Sequence, residues 1–335
     1  MRLAVLGGDG IGAEVTREAV RVLEVVAKLH PPLELELCYG EIGLGAFEKY
    51  GHPLPEATLE MVRTADATLF GAVTTPPHIA GYRSPILSLR QKLELYANVR
   101  RIRSRPGTRP GIDMVIVREN TEGLYAGRER SSPDEAVTER VITRSASERI
   151  VRYALELARA RGDRRVTLVH KANVLRETCG LFRRVGREVA THYPEIELED
   201  MLVDTCAMEL IRAPERFSVI VTTNLFGDIL SDEACMLVGG LGLAASGNIG
   251  DRAGLFEPVH GSAPDLQSTG RANPLAAILS LALALEHVER TDLAVLVEGA
   301  VDRALHTGSV TPDLGGKLST REATDALIAE IEAAA

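Results

Sequence analysis

What most limits the fold of this chain is a rhythm. Short apolar runs of β-type residues each lead into a polar or glycine-rich turn and then into a stretch of helical periodicity. The apolar runs are residues 3–6, 67–72, 115–117, 166–169 and 217–222. Helical spacing marks residues 13–29, 56–63, 86–97, 145–161, 180–192 and 275–285, followed by a closing amphipathic pair of helices. Strands alternating with helices from end to end predict an α/β fold. The 335 residues suffice for two domains or one large α/β unit.

Composition removes several function classes. With 45% hydrophobic and 25% charged residues the chain has the make-up of a globular protein, and disorder is not indicated. A net charge of −9 lacks the basic footprint that nucleic-acid binding needs, although a few clustered arginines can still attract an anionic small molecule. Cys38, Cys179, Cys206 and Cys235 are scattered without metal-type spacing and read as reduced thiols of a cytoplasmic protein. Residues 1–6 lead straight into a strand, so no signal peptide is expected, and no apolar run reaches the ~20 residues of a membrane span.

The first turn, Gly7-Gly8-Asp9-Gly10-Ile11-Gly12, invites a dinucleotide reading. Its spacing is G-x-G-x-G rather than G-x-G-x-x-G, and the strand at 33–37 with its acid is a common arrangement. A tight turn packing a helix on a strand is the expectation, not a classical Rossmann site.

Polar side chains collect at the strand ends. The run 115–117 is followed by Arg118-Glu119-Asn120-Thr121-Glu122-Gly123-Leu124-Tyr125, and 166–169 by His170-Lys171-Ala172-Asn173. Asp204 opens a further helix, and 217–222 delivers Asn224-Leu225-Phe226-Gly227-Asp228-Ile229-Leu230-Ser231-Asp232. Arg90 lies in the helix at 86–97 and Arg100 just beyond it. Residues 127–143 form a polar segment suited to an exposed hairpin or arm.

Asp228 and Asp232, four apart, point about 40° from one another around a helix and so share a face. Two carboxylates on one face repel unless a cation sits between them, and a carboxylate-only set suits Mg²⁺ or Mn²⁺ rather than Zn²⁺. The competing reading is a solvated first turn, where Asp is common. Arg90, Arg100, Arg118, Tyr125 and Lys171 each also have an ordinary explanation as ion pairs or core residues. Jointly they describe a site: arginine forks for a multi-carboxylate anion, aspartates for a metal, Lys and Tyr for proton transfer.

These motifs, in this order, resemble the β-decarboxylating dehydrogenases, the family of isocitrate, 3-isopropylmalate and homoisocitrate dehydrogenases. The resemblance spans essentially the whole chain. It rests on GGDGIG at the start, LRQKLELYANVR at 89–100, RENTEGLY at 118–125, HKANV at 170–174 and NLFGDILSD at 224–232. GGLGLAASGNIG at 239–250, FEPVHGSAPD at 256–265 and Asn273-Pro274 complete it.

The resemblance implies a two-domain isocitrate/isopropylmalate dehydrogenase-like α/β fold with a cleft between the domains. A large discontinuous cofactor-binding domain would take residues 1–98 and 240–335, and a smaller central domain with the dimer interface and arm would take 99–239. It implies a homodimer with shared active sites, or a tetramer. Arg90, Arg100 and Arg118 would bind the substrate carboxylates and Tyr125 would be the general acid. Lys171, with Asn173, would reach in from a second subunit. Asp204, also from the partner, would join Asp228 and Asp232 on Mg²⁺ or Mn²⁺. Nearby arginines would lower the pKa of Lys171 so that it could act as base. Adenosine would lie against His260, Gly261, Ser262, Ala263, Asp265 and Asn273, and the Val73-Thr74-Thr75 turn would approach the nicotinamide and substrate. Members using NADP carry Lys and Tyr where this chain has Asp265 and Leu266. A carboxylate accepts hydrogen bonds from ribose hydroxyls but repels a 2′-phosphate, so the expected cofactor is NAD.

The implied substrate is a small tricarboxylate. Arg83-Ser84 is similar to the isocitrate pattern. Ser84-Pro85-Ile86 followed by Leu89-Arg90 resembles homoisocitrate dehydrogenases of lysine synthesis. Leu87 departs from bacterial homoisocitrate enzymes that carry arginine there, and leaves Arg83, Ser84 and His78 as readers of the distal carboxylate. The expectation is oxidative decarboxylation of homoisocitrate to 2-oxoadipate, with isocitrate accepted. The alternatives are isocitrate or 3-isopropylmalate dehydrogenase and, from another class, a silent regulatory subunit, against which Tyr125, Lys171 and the three aspartates count.

Overall fold

The computed structural model describes residues 1–29, 33–76, 79 and 81–334. In chain order its main elements begin β1 (Arg2–Gly8), α1 (Gly12–Leu29), β2 (Glu36–Tyr39), α2 (Leu44–Tyr50), α3 (Glu56–Arg63), β3 (Ala67–Ala72) and α4 (Pro85–Lys92). There follow β4 (Ala97–Arg103), β5 (Asp113–Glu119), β6 (Glu129–Ser131), β7 (Ala136–Thr138), α5 (Arg144–Arg161), β8 (Arg165–His170), α6 (Thr178–Ala190) and β9 (Glu197–Leu202). The remainder is α7 (Val203–Arg212), β10 (Val219–Thr222), α8 (Asn224–Met236), β11 (Ala245–Ile249), β12 (Gly254–Pro258), α9 (Leu275–His287), α10 (Thr291–Thr307) and α11 (Thr320–Ala334). The fold is α/β, as the strand–helix rhythm requires.

Two compact units form. The first contains 1–94, 105–108 and 239–335, the second 95–104 and 109–238. In the first, the strands run in the order β2-β1-β3-β12-β11. β1 pairs in parallel with β2 and β3, β12 adds in parallel to β3, and β11 closes antiparallel on β12. Register fixes what meets at one end: Gly8 stands opposite Ala72, and Phe256 opposite Leu69. The glycine turn, the 73–75 turn and the 258–263 loop therefore leave the sheet at a common end.

The core of this unit is built by α1, α9, α10 and α11. Leu23 and Val26 of α1 join Leu279 and Leu285 of α9, Val297 of α10 and Leu327 of α11 in one buried cluster. α9 is buried on nearly every side, which its almost uninterrupted apolar sequence allows. Each of its fully buried leucines stabilises the fold by about 1.5–3 kcal/mol.

In the second unit the order is β4-β5-β10-β8-β9, with β4 antiparallel to β5 and the others parallel. Thr222 ends β10 between Arg118 of β5 and Val169 of β8. Arg118, the His170-Lys171 turn and the start of α8 thus emerge along one edge, the carboxyl end where α/β sheets place their chemistry. Helices α5 and α6 pack on one another and on β8. The 127–143 segment contains the exposed hairpin β6–β7.

Three differences from the periodicity reading have physical causes. The helix at 86–97 stops at Lys92, because Glu94 adopts a left-handed conformation (φ 50°). The next residues become β4, which exists because β5 offers it a ladder from Ala97↔Glu119 to Arg103↔Asp113. The glycine-rich stretch at 246–250 and the run that follows form β11 and β12. A Cβ on Gly247 would stand 3.0 Å from the Phe256 ring, and one on Gly254 would stand 2.8 Å from His287 Nε2. These glycines make room for packed rings rather than for turns. Strand 33–37 shifts to Glu36–Tyr39.

Candidate active site

Arg118, the last residue but one of β5, has its side chain 2% exposed and is one of the largest fully buried groups. A guanidinium survives burial only if its N–H groups are paired. Nε and Nη2 donate to Asn224 Oδ1 at 3.0 and 2.7 Å, and Nη1 donates to Asp228. Gly227 makes this possible, since a Cβ there would lie 2.6 Å from Arg118 Cβ. The glycine inside α8 is therefore a packing requirement, and the helix tolerates it because the ion pair beside it is gained.

Arg100 emerges from β4 beneath the same helix. Its Nη2 donates to Asp228 Oδ1 at 3.1 Å, Nη1 donates to Asp232 and to Ser231 Oγ (2.7 Å), and Nε to Asn98 Oδ1 (3.1 Å). The repulsion expected between the two aspartates is thus answered by a cation that the chain itself supplies, Arg100. Tyr125 completes the cluster. Its hydroxyl donates to Asp228 Oδ2 at 2.6 Å, and the Arg118 guanidinium stands 5.2 Å from its ring centre. Burial first, and then the Asp228 charge, raise the Tyr125 pKa and keep the phenol protonated.

Lys171 follows β8. Its Nζ donates to Asp204 Oδ1, in the first turn of α7, at 2.5 Å. That bond lowers the Asp204 pKa. Within its own chain the neighbour of Lys171 is thus a carboxylate. His170 shapes the turn: its Nδ1 accepts from Ala172 N (3.2 Å), which leaves Nε2 to donate to Asp200 at 3.3 Å. Burial lowers the His170 pKa, so the ring is neutral. Asn173 is exposed just beyond.

The three aspartates do not come together in one chain. Among the described residues no three His, Cys, Asp or Glu are close enough to hold an ion. Asp228 and Asp232 do fit as hard oxygen donors that already share one cation, whereas Asp204 is engaged with Lys171.

In the first unit, Arg90 Nη2 donates to Glu257 Oε1 at 2.9 Å, and Asn248 Nδ2 donates to the same oxygen at 2.8 Å. Arg90 Nε is buried without a partner, so part of the guanidinium remains free to donate. Arg83 is exposed ahead of α4, and Ser84 caps that helix with its carbonyl oxygen accepting from Ser88 N at 3.1 Å. His78 lies outside the described residues.

The glycine turn is a clamp. Asp9 accepts from Thr74 N through Oδ2 and from Leu44 N through Oδ1, each at 2.8 Å. Thr74 Oγ1 and Ser262 Oγ are 2.7 Å apart, and Ile11 N donates to Ser262 O at 2.9 Å. The turn thereby ties the 73–75 and 260–263 loops together. Val73 is half-buried, Thr75 and Gly261 are exposed, and Ala263 takes a left-handed φ of 37°.

His260 Nδ1 lies 3.0 Å from Gly261 O, leaving Nε2 as a buried acceptor without a partner. An orphaned ring nitrogen fits a ligand with an amino donor, and Asp265, five positions on, is exposed and free to accept from hydroxyls. Asn273 is already engaged, donating to Asp313 (2.9 Å) and accepting from Leu275 N (2.9 Å) at the start of α9. Glu257, Asn248, Asp9, Ser231 and His170 were given no role by the sequence reading, because one such polar side chain carries no signal until its partner is in place.

The chain resembles known proteins along nearly its whole length. Residues 2–327 match the family model described as isocitrate/isopropylmalate dehydrogenase. An isocitrate/homoisocitrate dehydrogenase of Thermus thermophilus is 52% identical over 330 residues, covering 98% of this chain and 97% of that protein. A 3-isopropylmalate dehydrogenase of Methanothermobacter thermautotrophicus is 49% identical over 327 residues, covering 96% of each. Among solved structures, isocitrate dehydrogenase from Methylococcus capsulatus has a TM-score of 0.92 at 46% identity, covering 98% of this chain and 99% of that one. The chain belongs to the isocitrate/isopropylmalate dehydrogenase family and is an enzyme of the β-decarboxylating dehydrogenase type.

Proposed function

We propose that the enzyme is an NAD- and divalent-metal-dependent homoisocitrate dehydrogenase of the cytoplasm that also turns over isocitrate and serves lysine synthesis. The observation that carries the chemistry is the Asp228 cluster, where two buried guanidinium groups and a protonated phenol meet one carboxylate. The relatives named for isocitrate and homoisocitrate support the substrate, as does the polar entry to α4, Arg83-Ser84, suited to a distal carboxylate. A second reading, 3-isopropylmalate, is favoured by half-buried Leu87 and by the relative at 49% identity.

In this reading Arg90, Arg100 and Arg118 hold the substrate carboxylates. Lys171 takes the proton from the C2 hydroxyl, and Tyr125 returns a proton to the carbon that loses CO₂. Mg²⁺ or Mn²⁺, held by Asp228 and Asp232 with Asp204, would supply Lewis-acid polarisation of the C2 oxygen. NAD, against His260, Asp265 and the neighbouring loop, would accept the hydride.

The deciding assay is NAD reduction with homoisocitrate, isocitrate and 3-isopropylmalate at equal enzyme. Homoisocitrate should give the highest kcat/KM, EDTA should abolish turnover, and Mn²⁺ or Mg²⁺ should restore it. Preference for 3-isopropylmalate would sink the substrate assignment.

The same reading makes the enzyme a homodimer, with Lys171 and Asp204 delivered to the Asp228 cluster of another copy. On α7, Met208 (64% exposed) and Ile211 share the face of Asp204, while on α8, Ile229 and Met236 (68%) share that of Asp232. Exposed apolar side chains on the helix faces that carry these acids suit a face that a second copy covers. Met208→Asp with Ile229→Asp should yield an inactive monomer by sedimentation, and an active monomer would refute the shared site.

A further inference from the structure

The loop that carries Tyr125 is held from behind by a second pair of carboxylates, which the mechanism above does not use. Glu119, 3% exposed at the end of β5, accepts from Thr121 N at 2.9 and 3.0 Å, from Thr121 Oγ1 at 2.5 Å and from Glu122 N at 2.9 Å. Those bonds fold the chain back at once over Thr121 and Glu122. Glu122, 8% exposed, accepts from Thr143 N at 2.9 and 3.1 Å and from Thr143 Oγ1 at 2.9 Å. Arg149 of α5 donates to Thr121 Oγ1 at 3.3 Å, which draws the same turn toward that helix.

Thr143 is the N-cap of α5, and its Oγ1 accepts from Ala146 N at 3.2 Å. The carboxylate of Glu122 is therefore bonded to the rigid end of an 18-residue helix, not to a loop. Between Glu122 and Tyr125 stands Gly123. It exchanges both backbone bonds with Val141, Gly123 N to Val141 O at 2.8 Å and Val141 N to Gly123 O at 3.2 Å. Gly123 has φ 81°, so the joint is a glycine-only conformation that neighbouring bonds must hold. Directly after it the short 3₁₀ turn Leu124–Ala126 presents the phenol to Asp228.

We propose that Glu122 is a positioning residue: by clamping Thr143 at the head of α5 it fixes the Gly123–Val141 bridge and so sets the Tyr125 hydroxyl against Asp228. Its target is the placement of Tyr125, while the role of that hydroxyl rests on the function proposed above. A proton donor displaced by about 1 Å loses much of its rate, whereas substrate binding through the arginines is untouched. The signature is a kcat effect without a matching KM effect.

The test compares wild type, Glu122→Ala, Glu122→Gln and Tyr125→Phe. Amide exchange at Gly123 and Val141 is read by mass spectrometry or NMR on the free enzyme, beside kcat and KM. Glu122→Ala should speed exchange at those two amides about tenfold or more. Its kcat should fall about tenfold while KM for the hydroxyacid stays within about twofold. Glu122→Gln keeps one oxygen acceptor for Thr143 N and should recover kcat to within about threefold. Native exchange at Gly123 and Val141 in Glu122→Ala, or loosened amides with undiminished kcat, would overturn the proposal. Full turnover by Tyr125→Phe would instead remove the acid role of Tyr125, and the exchange rates would still decide whether Glu122 holds the loop.

Discussion

Asp228→Asn should lower kcat by about 10³-fold while leaving a folded protein. Asp228 is the point at which three side chains converge: Arg118 and Arg100 donate to Oδ1 and Tyr125 to Oδ2. Asparagine preserves the shape and one acceptor but removes the charge, so two buried guanidinium groups lose their shared counter-ion. Removing one partner of a fully buried pair costs about 3–5 kcal/mol. Asp228 is 31% exposed, Arg100 keeps Asp232, Ser231 and Asn98, and Arg118 keeps Asn224. The expected loss of stability is therefore smaller, about 2 kcal/mol. Activity should suffer more, because the phenol loses its acceptor and the proposed cation loses a ligand at once. Steady-state kinetics beside a thermal melt separate the two effects. Retention of more than about a tenth of wild-type kcat would mean that Asp228 is a scaffold for arginines and nothing more.

Gly10→Ala carries the second large effect, on stability and on the nucleotide. Gly10 has φ 58°, and a Cβ there would lie 2.0 Å from the carbonyl oxygen of Ser262, a backbone atom that cannot swing aside. The same oxygen accepts from Ile11 N, so a methyl group must push the first turn and the 260–263 loop apart. A non-glycine residue in this conformation, combined with overpacking, should cost about 2 kcal/mol or more. Separation of that loop should also raise KM for the proposed NAD about tenfold, as His260 and Ser262 move together. Gly45→Ala is the control. It sits in α2 with nothing within 4 Å of its Cβ, so alanine there should be neutral or stabilising by up to about 1 kcal/mol. Equal melting temperatures for Gly10→Ala and wild type would show that the turn is not the clamp described.

Much of the local chemistry was legible beforehand. The spacing of Asp228 and Asp232 places them on one face of α8; the cation it called for was a divalent metal, whereas the one the chain itself supplies is Arg100. The G-x-G-x-G spacing argued against a dinucleotide turn, and in the structure Asp9 and Ile11 bond to other segments of the protein itself. Such readings succeed because they depend on helix geometry, on φ, or on charge at short separation.

Pairings between distant segments were not legible. Nothing within Ala97–Arg103 alone marks it as a strand; it follows a helical pattern and becomes β4 only by bonding to β5. Gly247 and Gly254 make room for Phe256 and His287, which no local pattern announces. The partners of two candidate site arginines, Glu257 for Arg90 and Ser231 for Arg100, stand 167 and 131 positions away. By itself the sequence determined the α/β class, the polar strand ends and the kinds of group available for proton transfer and anion binding, because these follow from periodicity and side-chain chemistry within short windows. Tertiary structure alone decided that Arg100 is the cation shared by the two aspartates, that Lys171 faces Asp204, and that Glu122 reaches the head of α5. Each of these contacts depends on sheet register, which brings together residues whose local sequences carry no record of one another.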